Sequence, residues 1–285
     1  MAVQTGGDLV NWSYCTNGFR DHRLPEALAV LADLGYTGAA ITLDHGHLDP
    51  YALGLNREVA ATAKLLGELG MTAVVETGGR YTLDPRRKHH PTLLGDEAWR
   101  RADYLRRAMR IAADLGAPVV HLWSGATPCD VTEQEAWARL AGWCERLLDD
   151  ADEAGVTLAF EPEPGMLVQD LADYERLRRL LGGHPRFGLT LDIGHCRCLE
   201  PQDVPSCVRR ALPYLAHVQI EDMRRGVHEH LEFGAGDIDF PPVMAALAGY
   251  GGQVAVELAR HGHAAPEVAR RSIDFLRRAH GRLDG

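Results

Sequence analysis

Four short apolar runs in the second half of this chain each end on a side chain able to bind a hard metal ion. TLAFE ends on Glu161, FGLTLD on Asp192, HVQ on Gln219 and QVAVE on Glu257. Three carboxylates and one amide oxygen form an oxygen-rich donor set, which favours Mn²⁺ or Mg²⁺ and accommodates Co²⁺ or Zn²⁺. A single carboxylate at a strand end is most simply a cap or an ion-pair partner. Four such residues on successive strands argue for one divalent metal site, provided the strands bring them together.

Side chains alternate between faces along a strand. Ala159 and Glu161 therefore share a face, as do Thr190 and Asp192, His217 and Gln219, and Ala255 and Glu257. Each polar end can point inward if the strands form the wall of a barrel, whose active sites lie where strands run out into βα loops. The pattern predicts strands near Leu9–Ser13, Gly38–Leu43, Thr72–Val75, Val119–Leu122, Thr157–Glu161, Gly188–Asp192, His217–Ile220 and Gln253–Glu257. Amphipathic stretches such as Leu24–Leu34, Asn56–Leu69, Trp99–Leu115 and Glu133–Ala154 alternate with them. Gly35, Gly70, Gly116 and Gly155 each follow such a stretch, where helices end in a left-handed residue. The expected fold is a single (β/α)8 TIM barrel over residues 1–285. An open doubly wound sheet would usually carry a Gly-rich phosphate loop after its first strand, and none follows Ser13.

The bulk composition narrows the function. A net charge of −10 argues against nucleic acid and anionic membranes as partners. No apolar run approaches the length of a membrane span, and the start, MAVQTGGDLVN, lacks the pattern of a signal peptide. The six cysteines show no paired CxxC spacing, so free thiols and a cytoplasmic location are expected. Of the 30 basic residues only Lys64 and Lys88 are lysines, and neither falls at a strand end. That disfavours a Schiff-base aldolase.

With these residues in view, the chain resembles the xylose isomerase-like barrel superfamily of sugar and sugar-phosphate isomerases and epimerases. The resemblance covers nearly the whole length. It rests on AFEPEPG around Glu161, LDIGH with Asp192 and His195, HVQIEDMRRG, VAVEL with Glu257, and HEHLEFGAGDIDF. It implies metal ligation by Glu161, Asp192, Gln219 and Glu257, with Glu161 and Glu257 also acting as acid and base. It further implies that His195 binds substrate and that Arg225 anchors a distal hydroxyl, carboxylate or phosphate. Many members carry His where this chain has Gln219. The hydroxypyruvate-isomerase-like branch is similar in using Gln. The harder amide ligand is expected to turn the site from Zn²⁺ and from endonuclease-IV-like chemistry, which needs a His-rich zinc cluster.

The expected activity is isomerisation or epimerisation of a small hydroxy-carbonyl compound, phosphorylated or not. The proton next to a carbonyl is too weakly acidic for an unaided carboxylate, and a divalent metal stabilises the enediolate. Carboxylates on either side of the substrate can then remove and return the proton. The alternative is a dehydratase of a cyclic keto acid or inosose, which would expel water after the same first step. A metal-dependent hydrolase ranks behind both. Glu76, His121, Trp123 and His45 are expected to line the substrate pocket. The loop from Glu76 to Thr92 is rich in Arg, Lys and His, and reads either as an anion-binding lid or as a solvated basic loop. The partner is a carbohydrate-like small molecule, and a homodimer is compatible with this reading.

Overall fold

The computed structural model describes residues 10–281. Eight strands form a closed parallel barrel: β1 (Asn11–Cys15), β2 (Gly38–Thr42), β3 (Thr72–Glu76), β4 (Val119–Leu122), β5 (Thr157–Phe160), β6 (Phe187–Asp192), β7 (Leu215–Ile220) and β10 (Gln253–Val256). Each pairs with its neighbours in sequence order, and β10 closes the ring against β1 through the register Trp12–Val254 and Tyr14–Val256. An antiparallel hairpin, β8 (Asp222–Arg224) and β9 (Val227–Leu231), follows β7 directly.

The principal outer helices are α1 (Leu24–Asp33), α2 (Leu55–Leu69), α3 (Ala98–Leu115), α4 (Glu133–Ala154), α5 (Leu171–Leu180), α6 (Ile193–Leu199), α7 (Val204–Ala211), α8 (Phe240–Ala246) and α9 (Ala265–Gly281). Helices α3 and α4 end on Gly116 and Gly155 at φ 71° and 72°, a left-handed turn that lets the chain re-enter the barrel soon after, at Val119 and Thr157. Thr132 and Glu135 cap α4 reciprocally, which fixes where it begins.

Strand alternation divides the apolar residues into two populations. Ile41, Val75, Val120, Leu122, Leu158, Phe160, Leu189, Val218, Ile220, Val254 and Val256 face outward into the main core beneath the helices. Cys15, Ala40, Val74, Val119, Ala159 and Ala255 form a separate cluster. These mostly small residues lie on the other strand face and fill the barrel itself. On β5 and β10 the inner face therefore runs from a small apolar residue to a polar one at the mouth, Ala159 to Glu161 and Ala255 to Glu257, while β6 and β7 carry buried Thr190 and His217 at the same positions.

The first strand lies two residues later than its expected span of Leu9–Ser13, and Leu9 is outside the described residues. Edge-on contacts of Tyr14 with Phe19 and Tyr36, at 5.4 and 5.7 Å, hold it outward and set this register. The start and end of the chain, including most of MAVQTGGDLVN, also lie outside the described residues. All six cysteines are free thiols. No helix among the described residues is long and apolar enough to cross a membrane.

Candidate active site

The strand ends converge. Glu161, Gln219 and Glu257 line one pocket at the carboxyl end of the barrel together with Glu76, His121 and His195. Asp192 adjoins them: its Oδ2 lies 3.7 Å from His195 Nε2, and its carboxylate groups with those of Glu221 and Glu257.

Asp192 has two tasks. Its Oδ1 caps α6 by accepting from the His195 backbone N–H at 2.7 Å, while Oδ2 has no partner. The cap places His195 one helical turn on, so the Asp-x-x-His spacing is a geometric device for holding both side chains over the barrel mouth. Glu161 is held from two sides, by His121 Nε2 at 2.6 Å and His195 Nδ1 at 3.3 Å. Burial pushes His121 down to about 4, so it is a neutral donor there. His195 Nδ1 also donates to the Pro162 carbonyl at 3.2 Å, leaving Nε2 directed toward His228 Nε2 at 3.0 Å. Asn17, just beyond β1, donates to Glu257 Oε1 at 3.0 Å.

Burial and crowding set the carboxyl charges. Glu161 is raised well above the usual carboxylate range by burial, then by the neighbouring Glu163, Glu257 and Asp192. Burial raises Glu257 to about 8. Glu76 is the exception: burial opposes its charge, yet contacts with His217, His121 and Cys15 hold it below the usual range.

The donor set fits a divalent cation. Asp192 Oδ2, Gln219 Oε1 and both carboxylate oxygens of Glu221 are buried and lack a hydrogen-bond partner. Unpaired buried oxygens of this kind are costly unless a cation or proton completes them. Glu221 was missed in the sequence reading. It is the next inward residue after Gln219, so strand alternation alone could have found it. Gly194 makes room for it, since a Cβ there would collide with Glu221 Oε1.

The hairpin was also missed. No strand was expected over Val227–Leu231, but alternation on β9 turns both His228 and His230 toward His195, with ring centroids 4.7 and 5.7 Å away. His195, His228 and His230 bring ligand nitrogens within 4.8 Å of one another. A second group of Asp192, Glu221, His230 and Glu257 meets the same limit. The pocket is thus richer in imidazole than Gln219 alone suggested, and the argument from Gln219 against zinc loses force.

The other expected site residues divide. Glu76 and His121 are on the pocket floor, and Trp123 lines its wall against His89. His45 is exposed and paired with Asp49 at 2.8 Å, beside a neighbouring groove that shares Asn17 and Arg80 with the pocket. Arg225 is not among the residues lining the pocket. It sits in the two-residue turn between Arg224 and Val227, where its guanidinium donates to the Glu200 carbonyl. Arg80, Lys88 and Arg260 line the mouth instead. Of these, Arg260 carried no recognisable signal beyond its position after the last strand.

A sequence profile of the xylose isomerase-like TIM barrel matches residues 28–279. The L-ribulose-5-phosphate 3-epimerase UlaE of Salmonella paratyphi C is 28% identical over 199 residues, covering 66% of this chain and 68% of its own length. An L-ribulose 3-epimerase structure superposes with TM-score 0.76 at 20% identity, over 97% of both chains. A D-allulose 3-epimerase from Methylomonas sp. gives 0.75 at 19% identity, over 95% of this chain and 98% of its own. The IolI protein, solved with a bound zinc atom, gives 0.77 at 16% identity, over 96% and 99%. The first three are named as epimerases, which are isomerase-class enzymes.

Proposed function

Because the chain belongs to the xylose isomerase-like TIM-barrel family, we propose that it is a divalent-metal-dependent epimerase or isomerase of a small sugar. The observation that carries this reading is the pairing of Glu161 and Glu257. They extend from β5 and β10 into one pocket, both with raised proton affinity.

Asp192, Gln219, Glu161 and Glu257 would hold the ion, with Glu221 beside them. A divalent ion held there would supply positive charge that makes the carbon beside a carbonyl easier to deprotonate. Glu257 takes the proton from that carbon, and Asn17 orients its carboxylate. Glu161, set by His121 and His195, returns a proton from its own side of the pocket. Return to the same carbon from the opposite side inverts it, which is epimerisation. Return to the neighbouring carbon is aldose–ketose isomerisation. Trp123 offers an apolar wall to the substrate's carbon skeleton.

A cytoplasmic location and a homodimeric state remain part of the proposal. The test is metal-loaded protein with a panel of ketoses in D₂O, followed by NMR. Loss of the C–H signal next to the carbonyl, together with appearance of the epimer or aldose, supports the reading; no exchange with any ketose sinks it. The His195, His228 and His230 trio favours a second reading, metal-dependent ester hydrolysis. Cleavage of a phosphodiester without C–H exchange would select it.

A further inference from the structure

We propose that the mouth of this pocket binds a phosphate-monoester group carried by the substrate, through Arg80, Lys88 and Arg260. The proposal rests on the sugar-epimerase reading and assigns the end of the substrate far from the reacting carbon.

The three cations come from two separate loops, one after β3 and one after β10, and line the same pocket as Glu161 and Glu257. None of the three makes an ion pair with a carboxylate among the described residues. Other arginines of this chain do: Arg106 with Asp150, Arg197 with Asp237, Arg210 with Glu175, and Arg271 with Glu232. Unpaired cations gathered at one opening of a chain with net charge −10 need a reason. Arg80 is only partly exposed, and its Nη2 donates to the Ala259 carbonyl at 3.3 Å, which bridges the two loops. Burial lowers its proton affinity, and the nearby charges of Arg20 and Arg260 lower it further. An anion between the loops would relieve that repulsion.

The loop bearing Arg80 and Lys88 is built in place. Arg101 of α3 is buried and donates to the carbonyls of Pro91 at 3.0 Å, His89 at 3.0 Å and Thr77 at 3.4 Å. The basic loop is therefore a fixed part of the wall, and the solvated-loop alternative fits only its outer residues, such as Arg86.

Two features select the ligand class. A phosphate monoester carries between one and two negative charges near neutral pH, which matches several converging cations better than a carboxylate does. The floor holds Glu76, Glu161, Glu163 and Glu257, which repel a phosphate and admit the carbonyl end. The gradient from an acidic floor to a basic mouth thus orients the substrate: carbonyl inward, phosphate outward.

The test uses metal-loaded protein and measures binding of inorganic phosphate, sn-glycerol 3-phosphate and glycerol by calorimetry. Phosphate and glycerol 3-phosphate bind, and glycerol does not. In Arg80→Ala/Arg260→Ala the affinity for both anions falls by about tenfold or more, as expected for losing charge-assisted hydrogen bonds. Arg86→Ala, on the same loop but outside the pocket lining, leaves it unchanged. Absence of phosphate binding to the wild type, or equal binding by the double variant, overturns the proposal. If ketoses exchange protons while phosphate fails to bind, only this inference falls. If phosphate binds at the mouth and no ketose exchanges, the inference that an anion docks there stands and the epimerase reading falls.

Discussion

The side-chain amide of Gln219 donates through Nε2 to Glu76 Oε1 at 3.0 Å, which turns its oxygen away from Glu76 with no other partner. An amide has one accepting end, and Glu76 determines where it points. Glu76 also receives Cys15 Sγ at 3.4 Å and the Thr42 hydroxyl at 3.4 Å, so it is itself held in place. It acts as the orienting residue behind a proposed ligand. Glu76→Ala is expected to weaken Mn²⁺ affinity by about 10- to 100-fold, the usual cost of losing such support. Calorimetric titration checks this, and unchanged affinity would show that Gln219 needs no orientation.

Asp192 separates structure from ligation. Asparagine caps a helix about as well as aspartate, but it is a poorer ligand for a hard cation. Asp192→Asn is expected to keep a melting temperature close to the wild type without metal, and to lose most of the metal-induced rise. Asp192→Ala is expected to lose about 1 kcal/mol from the missing cap as well. Thermal melts with and without Mn²⁺ distinguish the two losses.

The crowded carboxylates make metal-free stability depend on pH. Glu257 is raised to about 8 by burial. His230 is raised to about 10: burial lowers it, but Glu221, Glu257 and Asp192 together outweigh that effect. Groups whose folded values are raised stabilise the protein below their unfolded values, and this contribution is lost as pH climbs through the folded values. His121 and His195, lowered to about 4 and about 3 by burial, act in the opposite direction, but only below the ordinary histidine range. Between about pH 7 and about pH 9 the first effect stands alone, so metal-free protein loses stability as pH rises. Saturating metal ionises the same carboxylates and flattens the profile. Urea unfolding at the two pH values measures it; a metal-free profile that is flat or rises would show that these carboxylates are not crowded.

Much of this site was legible in the sequence because strand alternation ties each mouth residue to an inward neighbour two positions earlier. That rule pointed to Glu161, Asp192, Gln219 and Glu257, and the family resemblance of LDIGH pointed to His195. Glu221 obeys the same rule, but the expected strand His217–Ile220 stops one residue short of it. His228 and His230 depend on a hairpin whose pairing is non-local, and nothing in VHEHL alone says that it folds back over the barrel. Arg225 was displaced for the same reason: a loop can carry a guanidinium to the mouth, whereas this hairpin turn carries it to Glu200. The first strand was set two residues early because Leu9 and Val10 are apolar, while the observed register follows Tyr14.

Arg101 supports the mouth from below. Its guanidinium bonds three carbonyls of the basic loop and lies 4.8 Å from the Trp123 ring centroid. Arg101→Met keeps the stem and removes every donor. It is expected to cost about 2 to 3 kcal/mol, since the carbonyls become buried without partners. Limited proteolysis should then cut within residues 77–92 faster than in the wild type. Unchanged stability and cleavage would mean that other contacts hold the loop.

The central claim is proton transfer at a carbon beside a carbonyl, carried by Glu257 and Glu161. Its most direct measurement is deuterium incorporation into a ketose by Mn²⁺-loaded protein in D₂O, with bound metal quantified in each sample. The wild type is expected to exchange the proton next to the carbonyl. Glu257→Gln that still holds metal is expected to lose about 100- to 10,000-fold in rate. Undiminished exchange in that variant would contradict the role of Glu257, and no exchange by the wild type with any ketose would contradict the claim itself.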